Sequence, residues 1–296
     1  MLSLSVRVDD RTPCTEDFTP CSCDQATSGG GWTVTCDRVP IAEVQALFNR
    51  TTVHNLASFS LSIAESETSG IPSNFLSNSR AESITINCLS PFYNLTVKDD
   101  AFLSSGDVTK SVTVNGCDLQ EQLNFAFMSG FSNLASLSIY RSMNFRSFGG
   151  IPSQSKLFYI AIVNSTGFDE LDSANVTLPG LRILYLYDNQ LNDAATARML
   201  QSLAGSSTGS LEELRLYNNR LTRVPSLISS FSSLTQLMME HNNIDLITTR
   251  TLAFFSYVSY LHLGNNGIRS IEPSSFGGIL KYYHCFTLIL HYILLF

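Results

Sequence analysis

Residues 205–209, Gly205-Ser206-Ser207-Thr208-Gly209, have the G-x-S-x-G spacing that seats a serine nucleophile on a tight strand-to-helix turn. That chemistry needs a strand before the serine and a helix after it. Here Ala195, Met199 and Leu203 recur at helical spacing upstream and a strand pattern follows, so the five residues read as a Gly/Ser-rich connection. His54, His241, His262, His284 and His291 show no metal-ligand spacing with cysteines or carboxylates. His241 and His262 fall at outward positions of neighbouring strands and read as a solvated pair. With no phosphate-binding glycine loop, dinucleotide fingerprint or catalytic Cys/His arrangement, a chain without catalysis, cofactor or metal is expected.

Four of the seven cysteines, Cys14, Cys21, Cys23 and Cys36, crowd the first 36 residues. The spacing C-x6-C-x-C-x12-C suits a zinc knuckle or a disulfide staple. Disulfides are preferred, because no histidine lies nearby and the C-x2-C pair of zinc ribbons is missing. That reading implies an oxidising compartment and an extracellular or cell-surface location. Met1 to Asp10 are too short and too polar for the apolar region of a signal peptide, and the preferred explanation is an export signal that the sequence lacks.

The elements that would position any of these residues come from repetition. Leu181, Leu184, Leu186, Asn189 and Leu191 recur in the same order as Leu211, Leu214, Leu216, Asn219, Leu221; as Leu234, Leu237, Met239, Asn242, Ile244; and as Val258, Leu261, Leu263, Asn266, Ile268. Five weaker copies begin near Leu56, Ala81, Thr109, Leu134 and Leu157. A repeat of this kind makes one short parallel strand and a return path. It cannot fold alone, and each buried Leu contributes on the order of 1.5–3 kcal/mol once neighbours stack. At the ninth position an inward Asn amide can satisfy backbone groups that would otherwise be buried unpaired. Asn189, Asn219, Asn242 and Asn266 are expected to form that ladder, with Cys117, Ser142 and Ser165 as weaker substitutes in an N-terminal half that is less regular. Within the insert 192–209 a helix is expected to stop near Gly205.

The pattern resembles the leucine-rich repeat. It predicts an α/β repeat fold, a solenoid (horseshoe) of about nine repeats with a parallel β-sheet on the concave face and a mostly irregular convex face. The parts are an N-terminal segment (1–13), a cysteine-rich cap (14–48), the solenoid (49–278) and an apolar tail (279–296). The resemblance to extracellular leucine-rich repeat proteins implies Cys14–Cys23 and Cys21–Cys36 pairing in the cap, each closure stabilising by roughly 3 kcal/mol. More narrowly, the cap followed by Ile41-Ala42-Glu43-Val44-Gln45-Ala46-Leu47-Phe48, loose early repeats and regular later ones is similar to the secreted arthropod proteins grouped with the non-catalytic subunit of Oplophorus-luciferin 2-monooxygenase. That likeness implies an accessory or ligand-binding role without chemistry. Cys88 and Cys117 lie on neighbouring strands about 4.8 Å apart, either as a disulfide or as two free thiols. Cys285 is left over in the tail.

Residues between the inward apolar positions form the concave face. There the sequence places Tyr140, Tyr159, Tyr185, Tyr187, Tyr217 and Tyr260, with Arg141, Arg182, Arg215, Met238, Glu240 and His262 among them. Tyr and Arg are enriched at protein interfaces, so a protein ligand or partner subunit is expected to bind here. The bland alternative is that Tyr simply suits strands. Nucleic acid is a poor partner for a chain of 296 residues with a net charge of −7 and only 15% charged residues.

Asn49, Asn94, Asn164 and Asn175 head glycosylation sequons. Asn175 is the preferred site, whereas a glycan on Asn164 would obstruct the concave face. The stretch 279–296 is almost wholly apolar and breaks the repeat register. It reads first as an incomplete or misjoined terminus, with a membrane anchor and, last, packing onto the core as the alternatives. The expected function is a secreted or cell-surface protein-binding module; a membrane receptor ectodomain and an intracellular scaffold are the alternatives.

Overall fold

A computed structural model describes residues 18–26, 30–53, 56–120, 125–146, 148, 150–153, 156–168, 176–248, 258–272, 275 and 287–289. Its centre is a 12-stranded sheet. β1 (Ser22–Gln25) pairs antiparallel with β2 (Trp32–Asp37). From β2 onward every neighbour is parallel: β3 (Leu56–Ile63), β4 (Ser83–Cys88), β5 (Ser111–Asn115), β6 (Ser136–Tyr140), β7 (Tyr159–Val163), β8 (Ile183–Tyr185), β9 (Glu213–Arg215) and β10 (Gln236–Met238). On the return side β11 (Leu246–Ile247) pairs with β13 (Ser270–Ile271), while β12 (Tyr260–His262) continues the main sheet beside β10.

Register places the repeated apolar positions in columns. Val34, Phe59, Ile84, Val112, Leu137, Ile160, Leu184, Leu214, Leu237 and Leu261 face one another from strand to strand, and all are buried. The strand β2 lies within the cysteine-rich segment yet already pairs with β3, so the stack begins inside the cap. At its other end, β14 (Thr287–Ile289) pairs with β12. The sheet therefore extends into the stretch 279–296, which the sequence reading sets outside the repeats. An edge strand presents unpaired N–H and C=O groups that an extended segment of any sequence can meet.

A chain of rings that passes through Phe59 of the first column runs on behind the strands, and the repeat pattern does not announce it. Phe48, Phe59, Phe75, Phe102 and Phe127 meet ring to ring at centroid distances of 5.5 to 6.1 Å, and Phe125, Phe145 and Phe168 carry the chain of rings onward. The edge-to-face pairs are worth about 0.5–1.5 kcal/mol each beyond their buried area.

The ninth-position ladder is continuous from Cys117 to Asn266. Cys117 N–H donates to Ser142 Oγ (3.3 Å), Ser142 N–H to Ser165 Oγ (3.2 Å), and Ser165 N–H to Asn189 Oδ1 (2.8 Å). Asn219 Oδ1 then accepts from Asn189 and Leu191, Asn242 Oδ1 from Leu221, and Asn266 Oδ1 from Ile244. Just before these residues the chain turns through left-handed backbone at Gly116, Arg141, Asn164, Asp188, Asn218, His241 and Asn265. At Gly116 any Cβ would lie 2.7 Å from Cys88 O, so the close approach of β4 and β5 requires glycine there. The N-terminal half proves at least as regular as the rest: β3 to β7 have five to eight residues, against three in β8, β9 and β10. Alternating β-branched and hydroxyl residues such as Ser111-Val112-Thr113-Val114-Asn115 keep the backbone extended without the Leu pattern.

Cys21–Cys36 and Cys88–Cys117 are disulfides, with Cα–Cα distances of 4.4 and 5.0 Å. Cys23 is also disulfide-bonded. Its expected partner Cys14, like Cys285, lies outside the described residues.

Among the described residues, two α-helices lie outside the sheet. α2 (Asp193–Ser207) starts on the Asn192 side chain, which accepts from Ala195 N–H at 2.8 Å. It runs through Gly205 rather than stopping there, because Ser206 and Ser207 anchor its last turn on Val176 O and Leu178 O. α1 (Ile41–Arg50) buries Ile41, Val44, Leu47 and Phe48, but the preceding Pro40 has no side-chain group to cap it. Glu67, 26 residues on, performs the capping: its Oε2 accepts from Ile41 N–H at 3.0 Å while Oε1 accepts from Thr68 and Ser69. Burial pushes the Glu67 carboxyl up, but the Ile41, Ser69 and Thr68 N–H groups outweigh it and hold the carboxyl below its ordinary value of 4.5. A depressed folded-state value means stability that is fully present above 4.5 and lost as pH falls through the folded value. Glu67→Gln is expected to cost up to about 1 kcal/mol at neutral pH in denaturant unfolding. The gap should close in acid; a gap constant with pH would contradict the capping role.

Candidate functional site

The outward face of the strands divides into two chemistries. On β3 to β6 the outward residues are Ser58, Ser60, Ser62, Ser83, Thr85, Asn87, Ser111, Thr113, Asn115, Ser136 and Ser138, a grid of hydroxyls and amides without charge. Sequence reasoning missed this half, although the Ser/Thr alternation at period two in 58–62, 83–87 and 111–115 was its signal. From Tyr140 and β7 onward the face is aromatic and charged.

Tyr159, Tyr185, Tyr187 and Tyr217 are brought together as a belt. Tyr159 and Tyr185 meet edge to face at 5.2 Å, Tyr185 and Tyr187 at 6.2 Å, and Tyr187 stacks on Tyr217 at 4.3 Å with planes only 10° apart. Arg215, paired in register with Tyr185, lays its guanidinium 4.1 Å from that ring centre, a contact worth about 0.5–2 kcal/mol. Glu213, absent from the sequence-predicted set, ties the two. Its Oε1 accepts from Arg215 Nε at 2.6 Å and from the Tyr185 hydroxyl at 3.1 Å.

Burial, then the neighbouring Tyr140 and Tyr185 phenols, pushes the Tyr159 phenol up; burial and then Tyr187 do the same for Tyr217. Both phenols therefore stay neutral at ordinary pH, each able to donate and accept.

The other predicted residues separate from this belt. Met238 stands between Arg215 and His262 in register, and His262 Nδ1 lies 3.2 Å from Glu240 Oε2 with the Tyr260 ring 6.5 Å away. Tyr260, His262 and Glu240 thus make a second, smaller cluster. Arg182 precedes β8 at the upstream margin and is held by both oxygens of Glu212 at 2.8 Å, away from the rings. Arg141 stands exposed in its left-handed turn and donates through Nε to Asn115 Oδ1 at 3.1 Å, on the amide half.

Residues weighed for chemistry fall elsewhere. Ser207 is buried and donates to Leu178 O at 2.9 Å, with a helix before it and β9 after it, the reverse of what the G-x-S-x-G turn needs. His241 meets Asn265 Nδ2 through Nε2 at 3.0 Å, whereas His262 faces Glu240, so the two histidines do not share partners. His54, His284 and His291 lie outside the described residues. Among the described residues, no group of three or more His, Cys, Asp or Glu is placed to hold a metal ion. Asn49, Asn94 and Asn164 are exposed, and Asn175 lies outside the described residues. The arrangement offers stacking area, a fixed cation and neutral hydrogen-bonding tips, which is the chemistry of recognition.

The Leucine Rich Repeat family profile matches residues 210–231, the copy that holds β9 and Asn219. No curated protein matches the chain. Among solved structures it is similar to the Listeria monocytogenes internalin-like protein lmo2027, at 16% identity and TM-score 0.47, covering 71% of this chain and 57% of that one. Internalin C2 of Listeria monocytogenes is similar at 19% identity and TM-score 0.38, with 83% of each chain covered. The protein of the TLR13–ssRNA13 complex is similar at 16% identity and TM-score 0.47, covering 87% of this chain and 32% of that one. The chain therefore spans little more than half of the first of these proteins and about a third of the last. Parallel strands from β2 onward, columns of aliphatic side chains facing one interior, and the family match on one copy give this chain the fold of a leucine-rich repeat solenoid.

Proposed function

We propose that this protein is a non-catalytic, secreted or cell-surface binding module that captures a protein ligand or partner subunit on the Tyr-rich part of its strand face. The observation that carries the reading is the Tyr187–Tyr217 stack beside Arg215 over Tyr185, a set of large side chains already held in place. Rings and guanidinia immobilised before binding lose little freedom on association, so their contact area is converted into affinity with small loss. Location outside the reducing cytosol is supported by Cys21–Cys36 and Cys88–Cys117. These bridges favour export over an intracellular scaffold. No helix among the described residues is long and apolar enough to cross a membrane. The resemblance to the luciferin-monooxygenase group would make the partner a catalytic subunit that this chain accompanies.

Replacing Tyr187 and Tyr217 together with Ala tests the reading. Each is part-buried on the outward face and outside the aliphatic columns, so the thermal midpoint should move little, while binding at two hot-spot side chains should fall by about two orders of magnitude or more. The readout is the set of proteins retained from extracellular fluid by immobilised native protein and lost on the immobilised variant. A folded double variant that retains the same proteins at the same yield overturns the placement.

A further inference from the structure

The face holds a second feature, which shares Tyr187 with the proposed capture surface. Beside the Tyr belt, at the ends of β4, β5 and β6, lies an open, shallow cavity of about 390 Å³. Its floor is a linked polar series. Asn87 Nδ2 donates to Ser60 Oγ at 3.5 Å, Asn115 Nδ2 to Asn87 Oδ1 at 3.1 Å, and Arg141 Nε to Asn115 Oδ1 at 3.1 Å. Each link consumes one N–H and one lone pair of an amide that carries two of each, so both amides keep donor and acceptor capacity for a ligand. Thr113 adds a hydroxyl, and the rings of Tyr140 and Tyr187 stand in the wall.

From this geometry we infer that the cavity is a subsite for a neutral oligosaccharide. Sugar hydroxyls donate and accept together, which amides and a threonine hydroxyl match and a purely basic or purely acidic site does not. The C–H faces of a pyranose suit the electron-rich faces of tyrosine rings. Charge in the cavity is balanced, with Arg141 offset by Asp188, so neither an anionic nor a cationic ligand is favoured. Amides on adjacent parallel strands recur about every 4.8 Å, a distance of the order of one sugar ring. The site is also built stiffly. Cys88–Cys117 joins the residue after Asn87 to the second residue after Asn115, and Gly116 permits the approach of the two strands. A preorganised site loses less on binding.

Asn164 also lines the cavity and heads the sequon Asn164-Ser165-Thr166. The sugar can therefore come from two sources: a free glycan, or one carried on Asn164 itself. Ligand-observed NMR with tetrasaccharides of glucose, mannose and N-acetylglucosamine, and a sulfated tetrasaccharide as the anionic comparison, is to be run on native protein and on Thr166→Ala, which abolishes the sequon without altering Asn164.

Saturable binding of a neutral tetrasaccharide to both proteins supports a free-glycan site. Binding to Thr166→Ala alone supports occupation by the Asn164 glycan. In either case Asn87→Ala with Asn115→Ala should weaken binding at least tenfold. The same pair should leave protein capture through Tyr185, Arg215 and Tyr217 unchanged, which separates failure of this inference from failure of the proposed function. No neutral sugar bound to either protein, binding of the sulfated sugar alone, or binding indifferent to the paired Asn variants in a protein whose thermal midpoint is native overturns it.

Discussion

Asn219→Ala should cost about 2–5 kcal/mol in denaturant unfolding, out of proportion to the few atoms removed. Asn219 is 7% exposed and serves five backbone groups. Its Oδ1 accepts from Asn189 N–H at 3.1 Å and Leu191 N–H at 2.9 Å, and its Nδ2 donates to Leu186 O, Leu216 O and Tyr217 O at 2.9 to 3.2 Å. Truncation leaves two buried N–H groups without acceptors, and each such orphan costs about 1–3 kcal/mol. Asn243→Ala, on an exposed neighbour of the next copy, should stay within about 0.5 kcal/mol. Repeats couple only to their neighbours, so amide hydrogen exchange should accelerate first around 189–191 and 216–221. A loss below about 1 kcal/mol would mean that the ladder is ornamental.

Phe102→Ala should cost about 3–5 kcal/mol, the range for deleting a buried ring, while Phe92→Ala, ten residues away, should change stability by less than about 0.5 kcal/mol. Phe102 is fully buried and meets Phe75 at 6.1 Å and Phe127 at 6.0 Å, whereas Phe92 is 80% exposed. Removing the central ring opens a cavity and breaks both contacts, and the neighbouring repeats, fixed by their own strands, can collapse only partly into the space. Phe102→Leu keeps most of the volume and should recover more than half of the loss. Equal effects at 92 and 102 would show that the column does not carry the stack.

Much of the architecture was legible because it is periodic. Leu184, Leu214, Leu237 and Leu261 recur at one position of each copy, and parallel strands place equivalent positions side by side, so the aliphatic column and the Asn ladder follow from order along the chain. For the same reason the outward Tyr residues could be assigned to one face. Their grouping could not. Whether Tyr187 stacks on Tyr217, whether Arg215 turns onto Tyr185 or outward, and whether Arg182 joins them or is held by Glu212 depend on rotamers chosen by neighbours 28 to 30 residues away.

Order along the chain thus fixes the repeat, its inward and outward faces, the cysteine-rich start and the aromatic character of the later strands. Each of these is a local pattern multiplied by translation. The Phe column became visible only in the folded chain, because its members are spaced unevenly and lie on a helix (Phe48), a strand (Phe59) and the return paths (Phe75, Phe102, Phe127). The same is true of the cap on α1 by Glu67, of the choice of Cys88–Cys117 over two free thiols, and of the cavity over Asn87 and Asn115. In all of these the energy lies between residues far apart in the chain, where spacing carries no signal until the backbone has brought them within a few ångströms.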